Sequence, residues 1–196
     1  MSLTPEEAAQ SLAFVEETQR HSRQAYGYVL SAPYFFIWGL VWTAGYLASG
    51  LFQDDKNGLD GWIWFGLVTG GIVAQLLTVK FQKFSHSRSG GLGSANWKAR
   101  AWRNIAGFGL IFAFTFALFS VMQPHARQVG AYWPLLFGCI YAGAGMWSGT
   151  RYVVAGVVLF VATLVGYFFL RDYFFYWMAA FGGGTLILTG FWMRRA

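Results

Sequence analysis

With 196 residues the chain has room for one compact domain, and its composition, 56% apolar and 11% charged, excludes an ordinary soluble protein, where about a quarter of residues are charged. A net charge of +6 would suggest nucleic acid in a soluble chain. Here the basic residues flank long apolar tracts, so membrane lipids are the expected partner and nucleic acid is not. The one cysteine, Cys139, excludes an intramolecular disulfide and a cysteine-built metal cluster, and reads as a small packing residue within an apolar tract.

Residues 1–23 are polar and begin with acidic side chains, unlike a cleavable signal, so the first apolar span is expected to direct its own insertion. Thr4-Pro5-Glu6-Glu7 has the form of a capping box with proline in the first turn, which starts a helix. Downstream, Ala8, Leu12, Val15, Gln19, Ser22, Tyr26 and Val29 recur at spacings of three and four, which gives an amphipathic helix whose stripe turns polar halfway along. Glu16 and Arg20, and Glu17 and His21, are i,i+4 pairs on other faces. Residues 1–31 therefore form a first unit. Its four glutamates repel anionic lipid, which favours contact with a protein partner over lipid, and the blander alternative is a solvated extension of the first span.

Pro33 is expected to interrupt or restart the helix, and residues 32–196 form the second unit, an all-α bundle of six transmembrane helices. The spans are placed at 33–52, 61–79, 105–123, 131–149, 152–170 and 173–192, each matched to a hydrocarbon core of roughly 30 Å. A basic loop at 80–104 joins the second and third. With the N-terminus inside, eleven of the fourteen Lys and Arg residues fall on the inner side and Lys56, Arg127 and Arg171 on the outer. By the positive-inside rule both termini are cytoplasmic.

Within the loop, Gly90-Gly91-Leu92-Gly93-Ser94 reads as a flexible tether, since no strand precedes it and no Lys-Ser/Thr pair follows as in a phosphate cradle. Trp97, Lys98, Arg100, Trp102 and Arg103 alternate anchoring indoles with basic groups, the pattern of a short interfacial helix in contact with lipid. Across the membrane, 54–60 resembles a calcium loop in composition, but its register places Gln53 first and Trp64 last, so it is read as a turn. Tyr132-Trp133 with Phe137-Gly138 and Tyr176-Trp177 with Phe181-Gly182 share a Y-W-x-x-x-F-G pattern that Trp62 to Gly66 echoes. Three related helical hairpins would produce it, as would an outer aromatic belt followed by a small packing residue, the reading preferred here.

The middles of the spans carry no Asp, Glu, Lys, Arg or His. Proton relays, voltage sensors and ion-coupled carriers usually place such a group in the bundle, and intramembrane hydrolases need paired acids or histidine ligands at depth. His21, His86 and His125 lack helical partners for a metal, so no metal and no cofactor is expected. Gln75 and the threonines, among them Thr43 and Thr115, read as interhelical hydrogen-bonding groups. Gly66-x-x-x-Gly70 and Gly145-x-x-x-Gly149 match the close-packing motif and are assigned mainly to packing within the bundle, with a homo-oligomer face as the second use.

Glu17-Thr18-Gln19-Arg20-His21-Ser22-Arg23, followed by Trp38-Gly39-Leu40-Val41-Trp42, resembles a group of small bacterial membrane proteins often encoded beside winged-helix transcription regulators. The resemblance covers about the first quarter of the chain and transfers no functional residue. It implies a bacterial inner-membrane protein in a regulated stress or transport setting. The expected function is a non-enzymatic accessory, sensory or regulatory component acting through protein or lipid contacts. The alternative is a small transporter or channel for a neutral or lipophilic compound, with a lipid-modifying enzyme third because no acid, base or nucleophile can be nominated for it.

Overall fold

A computed structural model describes residues 4–52, 58–87 and 97–195. Among them every regular element is helical: α1 (Pro5–Leu51), α2 (Leu59–Ser87), α3 (Trp97–Met122), α4 (Ala126–Ser148), α5 (Thr150–Phe169), α6 (Phe174–Trp177) and α7 (Gly184–Arg194). A π-helical turn over Met178–Gly183 joins α6 to α7 as one rod. Five helices are long and apolar enough to cross a membrane, and Ala106–Met122 within α3 is a shorter apolar segment. The Gly90–Ser94 tether and most of the acidic turn at 54–60 lie outside the described residues. Gly58, which ends the gap, has φ +71°, the left-handed region that glycine enters without steric penalty.

The break expected at Pro33 does not occur. α1 runs unbroken for 47 residues through Pro33, about 70 Å at 1.5 Å per residue. Proline removes the N–H that the carbonyl of Val29 would accept in a regular helix. A side chain from α2 binds the adjacent carbonyl of the same turn: Gln82 donates from Nε2 to the Leu30 carbonyl at 2.9 Å and accepts from the Tyr34 hydroxyl at 2.9 Å. The two units expected at 1–31 and from 32 onward thus share one helix.

α1 is also the axis of the bundle, in contact with α2, α4 and both helices of the C-terminal rod. Its buried residues include Ala32, Phe35, Trp42 and Tyr46, which join Leu159, Phe174, Met178 and Leu186 in the core. α4 and α5 form a hairpin packed backbone to backbone. A Cβ on Gly156 would lie 2.4 Å from the Ala142 nitrogen, and one on Gly145 would lie 2.5 Å from the Val153 nitrogen, so only glycine permits this approach.

α2 is held to α1 more by hydrogen bonds than by burial. At one end Ser49 donates to Asp60 at 2.8 Å and receives the Trp64 indole at 2.8 Å. In the middle the Trp38 indole donates to Gln75 Oε1 at 2.9 Å, and the Gln82 clamp closes the other end. α3 meets α4 through a Thr115–Tyr132 hydroxyl pair at 2.7 Å and through the rings of Phe112 and Phe119 against Tyr132 and Trp133.

The C-terminal rod crosses α1 at its closest point. A Cβ on Gly183 would stand 2.1 Å from Thr43 Oγ1 and 2.9 Å from the Thr43 nitrogen, and one on Gly39 would stand 2.6 Å from Ile187. Thr43 donates to the Gly39 carbonyl at 2.9 Å and reaches the Ala179 carbonyl at 3.3 Å. A π turn widens the helix by one residue and disturbs its regular hydrogen-bond ladder, and the Thr43 hydroxyl supplies a donor to a carbonyl inside that turn.

Candidate functional site

The N-terminal half of α1 leaves the bundle, and a cleft opens where it does. The α1 wall carries Glu16, Gln19, Gln24, Gly27 and Ser31, and the facing wall carries Met146, Trp147 and Ser148 from the end of α4 with Tyr152 from α5. Its volume is about 910 Å³. The α1 lining recurs at roughly helical intervals, which brings these groups onto one side of the helix.

The facing wall depends on a one-residue turn. Gly149 connects α4 to α5 with φ +121°, a conformation that residues with a Cβ rarely adopt. A Cβ there would also stand 1.9 Å from the Tyr28 hydroxyl. The turn is therefore seated directly on α1. Beside it the Tyr152 hydroxyl donates to Ser31 Oγ at 2.5 Å, and Ser31 donates to the Gly27 carbonyl at 2.8 Å.

Arg151, next in the chain, ties three elements together at the root of the arm. Its guanidinium lies 5.1 Å from the centroid of the Tyr28 ring on α1 and 5.2 Å from that of Trp192 on α7, within range for cation–π attraction. Nη1 donates to the Trp192 carbonyl, which lies in the last turn of α7 and otherwise accepts only the Arg195 N–H, at 3.3 Å. A positive charge at that helix end is favourable in its own right.

The α1 wall of the cleft is mainly polar. The Tyr152 and Ser31 hydroxyls are engaged with each other and with a backbone carbonyl, Glu16 is the one carboxylate among the lining residues, and Met146 and Trp147 stand exposed at the rim. No lining residue is a hydroxyl or thiol nucleophile set beside a histidine or carboxylate base, as nucleophilic catalysis requires. Among the described residues no group of three His, Cys, Asp or Glu is gathered for a metal, and every buried side-chain polar atom has a hydrogen-bond partner.

The glycines singled out from sequence separate into two kinds. Gly145 is closed against the α5 backbone, and Gly149 is the turn residue itself. Among the described residues Gly66 and Gly70 meet no neighbour: both are exposed on α2, and a Cβ at either would meet nothing within 4 Å. The α2 glycine that does approach α1 is Gly71, whose Cβ would lie 3.0 Å from Val41. Cys139 is exposed rather than a packing residue. Trp97, Lys98, Arg100, Trp102 and Arg103 lie on the first turns of α3, continuous with its apolar part. Trp102 is 70% exposed, and the other four side chains fall outside the described set.

The repeated aromatic motif holds two of its tryptophans in equivalent settings. Trp64 fills the space beside Gly45 and Trp177 the space beside Gly166, and each indole donates a hydrogen bond, to Ser49 and to the Ala162 carbonyl respectively. The Gly39–Thr43–Gly183 crossing and the Tyr28–Arg151–Trp192 latch were not singled out from sequence. Their available signals were the Gly182-Gly183-Gly184 run inside an apolar tract and an arginine immediately after Gly149-Thr150.

Comparison with known proteins found no matching family model, no matching curated protein and no matching solved structure.

Proposed function

We propose that the chain is a non-enzymatic, six-span protein of a bacterial inner membrane, with both termini cytoplasmic, that acts as an accessory or regulatory component by receiving a cytoplasmic protein on its N-terminal arm and the cleft at the arm's root. The observation that carries this reading is the continuity of α1 from Pro5 to Leu51. An event on the arm is delivered to the central helix without an intervening joint. The latch of Arg151 on Tyr28 and Trp192 sits where arm becomes bundle, so displacement of the arm acts on α5 and α7 together. Six spans count Ala106–Met122, and the orientation rests on the eleven-to-three division of basic residues. The resemblance to small bacterial membrane proteins supports the compartment.

The transport alternative gains no support from its two key glycines. Gly66 lies on the outer side of α2, and Gly145 is filled by the backbone of α5. Lipid contact at Trp97, Lys98, Arg100, Trp102 and Arg103 is part of the proposal, because this basic, indole-rich segment begins α3 at the cytoplasmic surface.

A photoreactive amino acid at Trp147 or Gln24, activated in native membranes, is expected to capture one protein reproducibly, with capture lost on deleting residues 4–24. Membranes that yield no protein adduct at either position would refute the reading. Reporter fusions ending at Pro124 and at Arg195 are expected to report the outer and the cytoplasmic side respectively. Opposite labelling would overturn the orientation.

A further inference from the structure

We infer that α1 is a self-association helix, along which two copies of the chain pair in parallel through a seam running from Leu12 to Leu51. In the arm the seam consists of Leu12, Val15, Gln19, Ser22 and Val29, with Tyr26 on the same face. Their alternating steps of three and four make the heptad spacing that lets two helices interlock. All are exposed, Leu12 at 65% and Val15 at 47%. Of the charged residues of this stretch, Glu17 and His21 fall on other faces and Glu16 borders the seam.

The stripe does not end where the bundle begins. Pro33, Ile37, Leu40, Ala44, Leu47 and Leu51 continue it at steps of three and four, with Leu40 at 63% and Leu47 at 42% exposure. At 3.6 residues per turn, all the positions from Leu12 to Leu51 lie within a sector of about 100°. The rest of α1 is occupied over its membrane half: Trp38 and Ser49 face α2, Trp42 faces α4, and Gly39 and Thr43 face the C-terminal rod. The open sector in the membrane and the uncharged stripe in the arm are in phase.

Three features together select a second copy as the occupant. Lipid tails accommodate Leu40 or Leu47, but the hydrocarbon core is roughly 30 Å thick and α1 is about 70 Å long, so the same uncharged stripe extends well past the lipid. A helix that covers the whole stripe must itself cross the membrane and continue in phase for some twenty residues beyond it, running in the same direction. α1 of another copy in the same membrane meets those requirements by construction. The flanking positions also agree. In parallel register Glu16 meets Ser11 of the second copy, an uncharged group, and Gln19 meets its own counterpart, a polar layer of the kind that fixes register. The cleft opens between α1 and the α4–α5 turn; pairing reaches its edge at Glu16 and Gln19 and leaves the facing wall of Trp147 free for a cytoplasmic partner. The inference stands whether or not such a partner exists.

Single cysteines in a Cys139→Ala background test the pairing in native membranes and in vesicles at low protein-to-lipid ratio. Leu12→Cys, Val15→Cys and Leu47→Cys are expected to form disulfide-linked dimers of twice the chain mass, several-fold above Phe14→Cys and Glu17→Cys, and to persist on dilution into lipid. These sites are exposed, so the substitutions leave the bundle intact. Equal crosslinking on all faces, loss of dimer in proportion to dilution, or adducts of another mass would each overturn homodimerisation. Capture of a partner at Trp147 would be unaffected by those failures, which separates this inference from the proposed function.

Discussion

Replacing Gly183 with alanine tests the crossing of α1 and the C-terminal rod. The new methyl group would lie 2.1 Å from Thr43 Oγ1, 2.9 Å from the Thr43 nitrogen and 3.0 Å from the Gly39 carbonyl. Two of these three neighbours are backbone, so the helices must separate. Overpacking of this kind costs about 1–3 kcal/mol. Separation also breaks the Thr43 hydrogen bond to the Ala179 carbonyl, and side-chain hydrogen bonds between membrane helices average about 0.6 kcal/mol. Gly184→Ala is the matched control, because a Cβ there meets nothing within 4 Å while sharing the intrinsic gain of alanine over glycine in a helix, up to about 1 kcal/mol. The two variants are expected to differ by about 2–4 kcal/mol, roughly 30- to 1,000-fold in the folding equilibrium. Unfolding in mixed micelles, followed by tryptophan emission, measures the difference. Adding Thr43→Ala to Gly183→Ala removes the nearest obstacle and should recover part of the loss. Equal stability of Gly183→Ala and Gly184→Ala, within about 0.5 kcal/mol, would refute the close crossing.

Two further outcomes follow from contacts elsewhere. A double-mutant cycle of Trp38→Phe and Gln75→Leu should return a coupling near 0.6 kcal/mol and at most about 1.7 kcal/mol, because the indole–amide bond of 2.9 Å is the interaction removed, and a coupling near zero would mean that α2 is not tied there. Gly149→Ala should lower stability by about 1–3 kcal/mol from its backbone conformation alone, and Tyr28→Phe, by removing the hydroxyl 1.9 Å from the new Cβ, should relieve only the additional steric part.

The helical class, the places of the apolar segments and the hydrogen-bonding roles of Gln75 and Thr115 were legible because they depend on residue type and period. Which neighbour a glycine meets was not. Gly145-x-x-x-Gly149 and Gly66-x-x-x-Gly70 look alike as strings, but α5 folds straight back on α4 through one residue, whereas among the described residues nothing lies within 4 Å of a Cβ on Gly66 or Gly70. Pro33 misled for a related reason. Its local effect is to weaken a turn, and Gln82, which binds the adjacent carbonyl of that turn, lies 52 positions away from Leu30, beyond the reach of any pattern within the helix. The cleft was not legible: of its α1 wall, only Gln19 belongs to the stripe whose turn to polar residues the sequence shows. Its second wall comes from Trp147 and Tyr152, which only the fold of the α4–α5 hairpin brings there.

The place of Thr43 in the closest crossing bears on how the protein is made. Its contact in the C-terminal rod, Ala179, is 136 residues further along the chain, and synthesis at 5–20 residues per second imposes a delay of roughly 7–27 s between the two. During that interval the first helix is complete but its tightest groove, at Gly39 and Thr43, has no occupant. The nascent bundle must wait for its last segment, so a ribosome that stalls before Gly183 leaves a chain with nearly every helix made and its central seam still open.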